Sequence, residues 1–398
     1  MAESPFAFYR GAAKVMAADL ASTPVSGLEV QLCGDAHLSN FGSFASPERQ
    51  QVFDVNDFDE TLLGPFEWDL KRLAASVVLA SRANGLSASK GREATIDAVS
   101  GYRDAMAAFA DARTLDLWYS ALSLARVSGV VPKKSSRKRF EKTARKWRGK
   151  NSERALGKLT ERRDGRVRIK SDPPLPIPLR DVPGVDADEL DRQTRSALSD
   201  YASTLQENRR ALLRRFTLID VAIKVVGVGS LGTRCLIALF LGRDDDDPLF
   251  LQLKEATTSV LEEHLPASRH AHHGERVVAG QRLMQATSDV FLGWSTVRDH
   301  DFYWRQYHDM KGSADVAGMN AKRLSGYAGL CGWTLAHAHA RSGDPIAIAG
   351  YLGKGSAFPE ALADFAEAYA DQNDRDYDAY MAAIRSGRIE AHEEGAEA

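Results

Sequence analysis

Gly34-Asp35-Ala36-His37-Leu38-Ser39-Asn40 sets a carboxylate and a carboxamide five residues apart, and Asp57-Phe58-Asp59 brings two more carboxylates after a short hairpin. This set suits phosphoryl transfer, which needs a carboxylate near the attacking hydroxyl and oxygen ligands that hold Mg²⁺ against phosphates. Asp35, at a strand end, can be that base. Asn40 can turn back as a neutral oxygen ligand, and Asp57 can supply the charged one. Magnesium takes few protein carboxylates and keeps waters or phosphate oxygens, so one Asp and one Asn suffice. Taken alone, Asp35 and Asn40 could equally stabilise a turn; the second carboxylate at the end of the hairpin favours chemistry. Asp69, in Trp68-Asp69-Leu70, reads as a cap on this loop rather than a reacting group, and Asp54 and Asp59 read as loop carboxylates beside the metal candidate.

A second cluster lies far downstream. Gly227-Val228-Gly229-Ser230-Leu231-Gly232 is a GxGxxG sequence, which is weak until its context is read. A dinucleotide fingerprint runs from strand into helix. Here the β-rich run Arg234–Leu241 follows, so the pattern is strand, glycine loop, strand, as in a flap over nucleotide phosphates. A plain glycine-rich hairpin is the bland alternative. Lys254 sits in the apolar run LFLQLKEA, where an inward lysine needs a partner. Phosphates and a carboxylate are the expected partners, with Glu275 the candidate and Glu262 and Glu263 its rivals.

The elements that must position these groups are readable in outline. A helix is predicted over 7–21, a strand over 28–33, and a hairpin from NFGSF through QVFDVND. Leu70, Leu73, Ala74, Val77 and Val78 share one helical face, and another helix covers 92–111. An amphipathic helix is expected at 187–214, then three β-rich runs, a helix at 274–286, strands near 290–297 and 301–308, and helices after 320. His264, His270, His272 and His273 lie in an expected loop without the spacing of a metal site. His337 and His339 read as packing or capping groups.

At 398 residues the chain is long enough for two lobes with an insert. Its formal charge of -2 gives no global pull toward nucleic acid or membrane. Residues 133–170 differ, with 17 lysines and arginines against 4 acids. The bland expectation there is a solvated helical insert; an acidic or nucleic-acid partner is the alternative. Three widely spaced cysteines fit a reducing compartment, MAESPFAFYRG lacks the form of a signal peptide, and no apolar run has bilayer-spanning length, so a cytoplasmic protein without membrane contact is expected.

CGDAHLSNFG, VFDVNDFDET and GPFEWDLKRLAAS together resemble the bacterial family catalogued as domain of unknown function 2252, as do KVVGVGSLGTRC, FLQLKEA, GERVVAGQRLMQA, RQYHDMKGS and AHAHARSGD, over nearly the whole chain. That family is grouped with the protein-kinase-like fold. GDxHxxN with a downstream Asp is also similar to the aminoglycoside-phosphotransferase branch of kinases. The resemblance implies Asp35 as the catalytic aspartate, Asn40 and Asp57 as magnesium ligands, and Gly227, Gly229, Gly232 and Lys254 as nucleotide-lobe residues. Cys33 departs from that branch, where a histidine is common before GD. The glycine-rich segment follows the catalytic loop by about 190 residues, the reverse of the usual kinase order, and a circular permutation would explain this.

The expectation is therefore an α+β, protein-kinase-like, two-lobed and permuted fold. Residues 1–130 and 313–398 would build the helical lobe, 131–215 a basic helical connection, and 216–312 the β-rich nucleotide lobe. The expected function is Mg²⁺-ATP-dependent phosphoryl transfer to an unidentified hydroxyl, on a small molecule or a protein, with Ser230 joining the flap glycines and Glu275 joining Lys254 at the nucleotide. The alternatives are a non-catalytic nucleotide-binding or interaction protein, and nucleotidyl transfer from ATP.

Overall fold

The computed structural model describes residues 1–130, 134–163, 165–173, 176–184, 186–224, 233–307 and 309–390. Gly227, Gly229, Ser230 and Gly232 lie outside the described residues. The chain is a mixed α+β structure built on several antiparallel sheets.

Two short helices open the chain, α1 (Pro5–Gly11) and α2 (Ala13–Leu20). The Ser4 side chain accepts from Ala7 N–H and Pro5 opens the first turn, a start signal readable in the sequence. Strand β1 (Glu29–Leu32) leads into the Gly34–Asn40 segment, which closes with a 3-10 turn at Leu38–Asn40. The hairpin β2 (Phe41–Ala45) and β3 (Gln51–Val55) follows, then β4 (Leu62–Pro65), which returns antiparallel to β1 with Leu32 opposite Leu62. Helix α3 (Phe66–Ala83) is buried on every side over residues 66–81, so its charged residues need partners inside. Helices α4 (Ala88–Ala110), α5 (Thr114–Trp118) and α6 (Leu124–Val130) complete this half.

The basic region holds α7 (Lys134–Arg148) and α8 (Ser152–Leu159), and it is less helical than its composition suggests. The hairpin β5 (Thr160–Arg163) and β6 (Arg166–Ile169) follows, and β7 (Ile177–Pro178) joins the edge of the large sheet. The helix expected over 187–214 is two, α9 (Ala187–Thr204) and α10 (Glu207–Leu213), parted at Leu205–Gln206. Strands β8 (Thr217–Ile223), β9 (Cys235–Leu241) and β10 (Pro248–Ala256) come next, then α11 (His273–Met284), β11 (Gly293–Val297) and β12 (His300–Gln306). Together they form a six-stranded sheet in the order β11-β12-β10-β9-β8-β7. The two-residue strand β13 (Gly312–Ser313) adds to β2, and α12 (Ala321–Ala340), α13 (Pro345–Leu352) and α14 (Ala357–Arg385) end the described chain.

The largest apolar core takes Tyr9, Leu70 and Tyr102 from the first part of the chain and Leu335, Ala366 and Tyr369 from its last helices. It extends to Val277, Val278 and Tyr303. A second core lies on one face of the six-stranded sheet, where Tyr201 of α9 stacks on Trp304 with ring centroids 4.4 Å apart. Two segments distant in sequence thus share one interior, and the Gly34–Thr61 region lies where they meet.

Burial sets a pH dependence in that interior. Asp54, in β3 rather than a loop, has its carboxyl pushed up to about 7 by burial, against the opposing pull of backbone N–H groups from Val55 and Ala286 and of Arg341. Glu60 is likewise raised to about 7 by burial. A folded pKa above the unfolded value means stability present at low pH and lost as pH rises through the folded pKa. We expect the unfolding free energy to fall between pH 5 and pH 8, and Asp54→Asn to remove about 2–3 kcal/mol of that fall. Urea unfolding at the two pH values checks this, and an unchanged slope in the variant would discount Asp54 as the source.

Candidate functional site

Gly34 turns the chain out of β1 with φ of 84°, and a Cβ there would come within 2.4 Å of the Glu60 carbonyl oxygen. Only glycine meets both demands. Beneath the turn, Asp69 in the first turn of α3 accepts hydrogen bonds from the backbone N–H groups of Cys33 (2.7 Å) and Gly34 (3.0 Å). His339 of α12 lies 3.3 Å from the same carboxylate, and its other ring nitrogen meets the Tyr102 hydroxyl at 2.9 Å. Asp69 is the loop cap its position in the sequence suggests, and His339 is a packing and hydrogen-bonding group.

Asp35 follows. One carboxylate oxygen meets Nε of Arg72, buried on α3; the other lies 3.5 Å from Nε2 of His37. Arg72 is held in turn by the Tyr9 carbonyl (2.9 Å) and stacks over the Tyr9 ring. Nδ1 of His37 accepts from Ser39 N–H (3.2 Å), which places the imidazole proton on Nε2, toward Asp35. Burial lowers the His37 pKa to about 4, more than Asp35 raises it, so the ring is neutral at neutral pH. Asn40 donates from Nδ2 to the Asp35 carbonyl (2.8 Å). Its Oδ1 is thereby left as the atom available to a ligand. The Asn40 carbonyl accepts from Asn56 N–H (2.8 Å), which ties Asn40 to the residue before Asp57.

The segment carrying Asp57 is held by side chains from far along the chain. Gln285 donates to the Val55 carbonyl (2.7 Å), Arg305 to that of Asn56 (3.3 Å), Ser259 to that of Glu60 (2.9 Å), and Arg276 to those of Asp59 (2.7 Å) and Thr61 (2.8 Å). Lys254, 3% exposed on β10, forms its ion pair with Asp59, and Tyr303 donates to the other Asp59 oxygen at 2.8 Å. Burial opposes the Lys254 charge, but Asp57 and Asp59 overcome this and hold its pKa well above the ordinary value. Burial also opposes the Asp57 charge, and Lys254, Arg305 and Lys311 together hold that carboxyl below its ordinary value.

The described members of the two clusters therefore come together: Asp35, Asn40 and Asp57 on one side, Lys254 on the other. Glu275 does not join them. It opens α11, faces His270 at 3.4 Å and is partly exposed. The lysine's carboxylate is Asp59, read from the sequence as a loop residue. Glu262 caps its own 3-10 turn with Ser259, and Glu263 pairs with Lys14. The inward cation of α11 is Arg276, one residue past Glu275, and it binds the Asp59–Thr61 turn instead.

Arg305 and Lys311 are the site residues that sequence reasoning missed. Arg305 stands opposite Gln252 in the β10–β12 register, two residues from the Lys254–Tyr303 pair, so all four side chains share one face. Within the polar stretch RQYHDMKGS, Arg305 at the end of β12 and Lys311 just before β13 carry no local signal; strand register exposes the first and the tertiary fold the second. Repulsion from Arg305, then burial, lowers the Lys311 pKa to about 7. The donor set of Asp57, Asn40 Oδ1 and the nearby Asp59 is all hard oxygen, which fits Mg²⁺ with waters or phosphate oxygens completing its shell. Among the described residues, no three His, Cys, Asp or Glu side chains form a metal-sized group, and the four histidines at 264–273 are no exception. Among them, too, no helix is long and apolar enough to cross a membrane.

No curated protein matches this chain, and no solved structure does. One family matches residues 1–383, and on that match the chain belongs to the uncharacterized proteins conserved in bacteria known as DUF2252.

Proposed function

We propose that this protein is a Mg²⁺-ATP-dependent phosphotransferase of protein-kinase-like fold, with its two lobes in inverted chain order, acting on a hydroxyl acceptor. The observation that carries this reading is the meeting of Asp57 with Lys254: a metal-binding carboxylate and a phosphate-binding lysine, 197 residues apart in sequence, face each other across one site. Asn40, its amide nitrogen spent on the Asp35 carbonyl, keeps Oδ1 for a ligand, and its backbone carbonyl is tied to Asn56, the residue before Asp57.

Each residue then has a task. Asp35, fixed at both oxygens by Arg72 and neutral His37, orients the acceptor hydroxyl and takes its proton as the oxygen bonds the terminal phosphorus. The bond from that phosphorus to the bridging oxygen breaks, and ADP leaves. Lys254 holds phosphate oxygens once released from Asp59. Mg²⁺, held by Asn40 and Asp57, would neutralise charge on the phosphates. Most of the acceleration comes from positioning and charge neutralisation.

Calorimetry with ATP tests the reading. Wild-type protein should bind ATP in a Mg²⁺-dependent way, and Asp57→Ala should weaken that binding about tenfold or more. Mg²⁺-independent binding of equal strength in both proteins would count against the site. A non-catalytic nucleotide-binding role is the second reading, favoured by the buried Arg72–Asp35 ion pair, which gives Asp35 a structural partner. Cellular function surviving Asp35→Asn would select it. The mass gained by an acceptor separates phosphoryl from nucleotidyl transfer.

A further inference from the structure

We propose that Lys311, with Arg305, forms a polyphosphate-binding pair that grips the terminal phosphates of the ligand. The proposal rests on the site just described but not on the adenine or on transfer itself.

The backbone at Lys311 is held from several directions. Met310 has φ of 54°, a left-handed conformation that costs a non-glycine residue free energy and persists only where surroundings enforce it. Its N–H donates to the Lys150 carbonyl (2.8 Å), and the Ser43 hydroxyl donates to its carbonyl (3.3 Å). On the other side, Gly312 pairs with Ser43 of β2 and lies under the Trp147 ring of α7, where a Cβ would come within 2.1 Å. Helix α7 is itself fixed to β3 through Gln51, which donates to the Ala144 carbonyl at 3.0 Å. The basic region thus has a defined place: it buttresses the turn that carries Lys311.

What this arrangement holds in place is the third cation of a cluster that contains two carboxylates, Asp57 and Asp59. Among the described residues, Nζ of Lys311 makes no hydrogen bond and no ion pair. Its electrostatic neighbours are Arg305, Asp57, Lys254 and Asp59. Arg305 donates from Nε to the side-chain Oε1 of Gln252 (2.9 Å) and from one terminal nitrogen to the Asn56 backbone carbonyl (3.3 Å), both neutral acceptors. Of the three cations only Lys254 has an ion pair among the described residues, with Asp59. Three cations against two carboxylates, Asp57 and Asp59, leave an excess of positive charge, which is unfavourable away from water unless a further anion joins them. Three donors, carried on β10, β12 and the turn before β13, suit a chain of phosphates with several oxygens better than a single small anion. Asp57 and Asn40 stand on the same site, so the phosphates would meet metal and cations together.

The test is calorimetry with ATP, ADP, AMP and inorganic tripolyphosphate, each with Mg²⁺, on wild type, Lys311→Met and the milder Lys311→Gln, with melting temperatures of the unliganded proteins. Wild type should bind ATP and tripolyphosphate far better than AMP. Both variants should lose about tenfold or more for ATP and tripolyphosphate, stay within about twofold for AMP, and melt no lower than wild type, because a repelled cation has been removed. ATP binding unchanged in both variants would overturn the proposal and leave the phosphotransferase reading standing. Lys311-dependent binding of tripolyphosphate without ATP binding would uphold the proposal and sink that reading. Binding of neither ligand by wild type would overturn both.

Discussion

Asp35→Asn should reduce phosphoryl transfer by about a thousandfold while leaving ATP affinity within about twofold, because the proposed mechanism assigns Asp35 to the acceptor hydroxyl and not to the nucleotide. The same change also disturbs the fold. Arg72 is buried, and its charge is met by Asp35. Removing one partner of a buried ion pair costs about 3–5 kcal/mol, because the other charge is left uncompensated. The two effects separate in a cycle of Asp35→Ala, Arg72→Met and the double variant. The double variant should recover most of the stability lost in Asp35→Ala and none of the activity. Urea unfolding and an acceptor-coupled assay report the two axes. If the double variant regained activity, or Asp35→Asn kept it, Asp35 would be a structural partner of Arg72 and nothing more.

Asp69→Ala should be the most damaging single change to the fold in this region, at about 3–5 kcal/mol. Its carboxylate is 1% exposed and is the acceptor for two buried backbone N–H groups, those of Cys33 and Gly34, besides meeting His339. Alanine orphans all three at once. Asp69→Asn retains one acceptor oxygen and should cost about half as much. Against a whole stability of about 5–15 kcal/mol, the larger loss is about a fifth of the total or more. The shift of the urea midpoint measures it. A loss below about 1 kcal/mol for Asp69→Ala would mean that the Gly34–Asn40 loop is organised by something else.

These two carboxylates were legible for a local reason. Asp35, Asn40 and Asp57 lie within one strand, one turn and one hairpin, and Asp69 lies one strand further on, so spacing and turn chemistry suffice to bring them near one another. The same holds for the strands around Lys254, whose β-rich runs and bounding turns mark them as a sheet. Glu275 shows where local reasoning stops. A helix was correctly expected to begin near it, but which side of that helix faces Lys254 is set by how α11 packs. The packing turns Arg276 inward and Glu275 toward His270. The basic region shows the same limit, because composition gave its charge but not the hairpin inside it or the seat of Trp147 against Gly312.

By itself, then, the sequence determined the residue types capable of the chemistry, the elements that carry them and the mixed α+β class, because periodicity and turn propensity act over a few residues. Tertiary structure alone decided that Asp59 answers Lys254, that Arg276, Gln285 and Arg305 hold the turn bearing Asp57, and that Lys311 joins Arg305 beside it. Apart from Arg305 and Lys311, which are neighbours in sequence, those pairings join positions about 200 or more residues apart, and strand register and helix rotation, set by burial of the whole core, choose among the many charged residues that could have met.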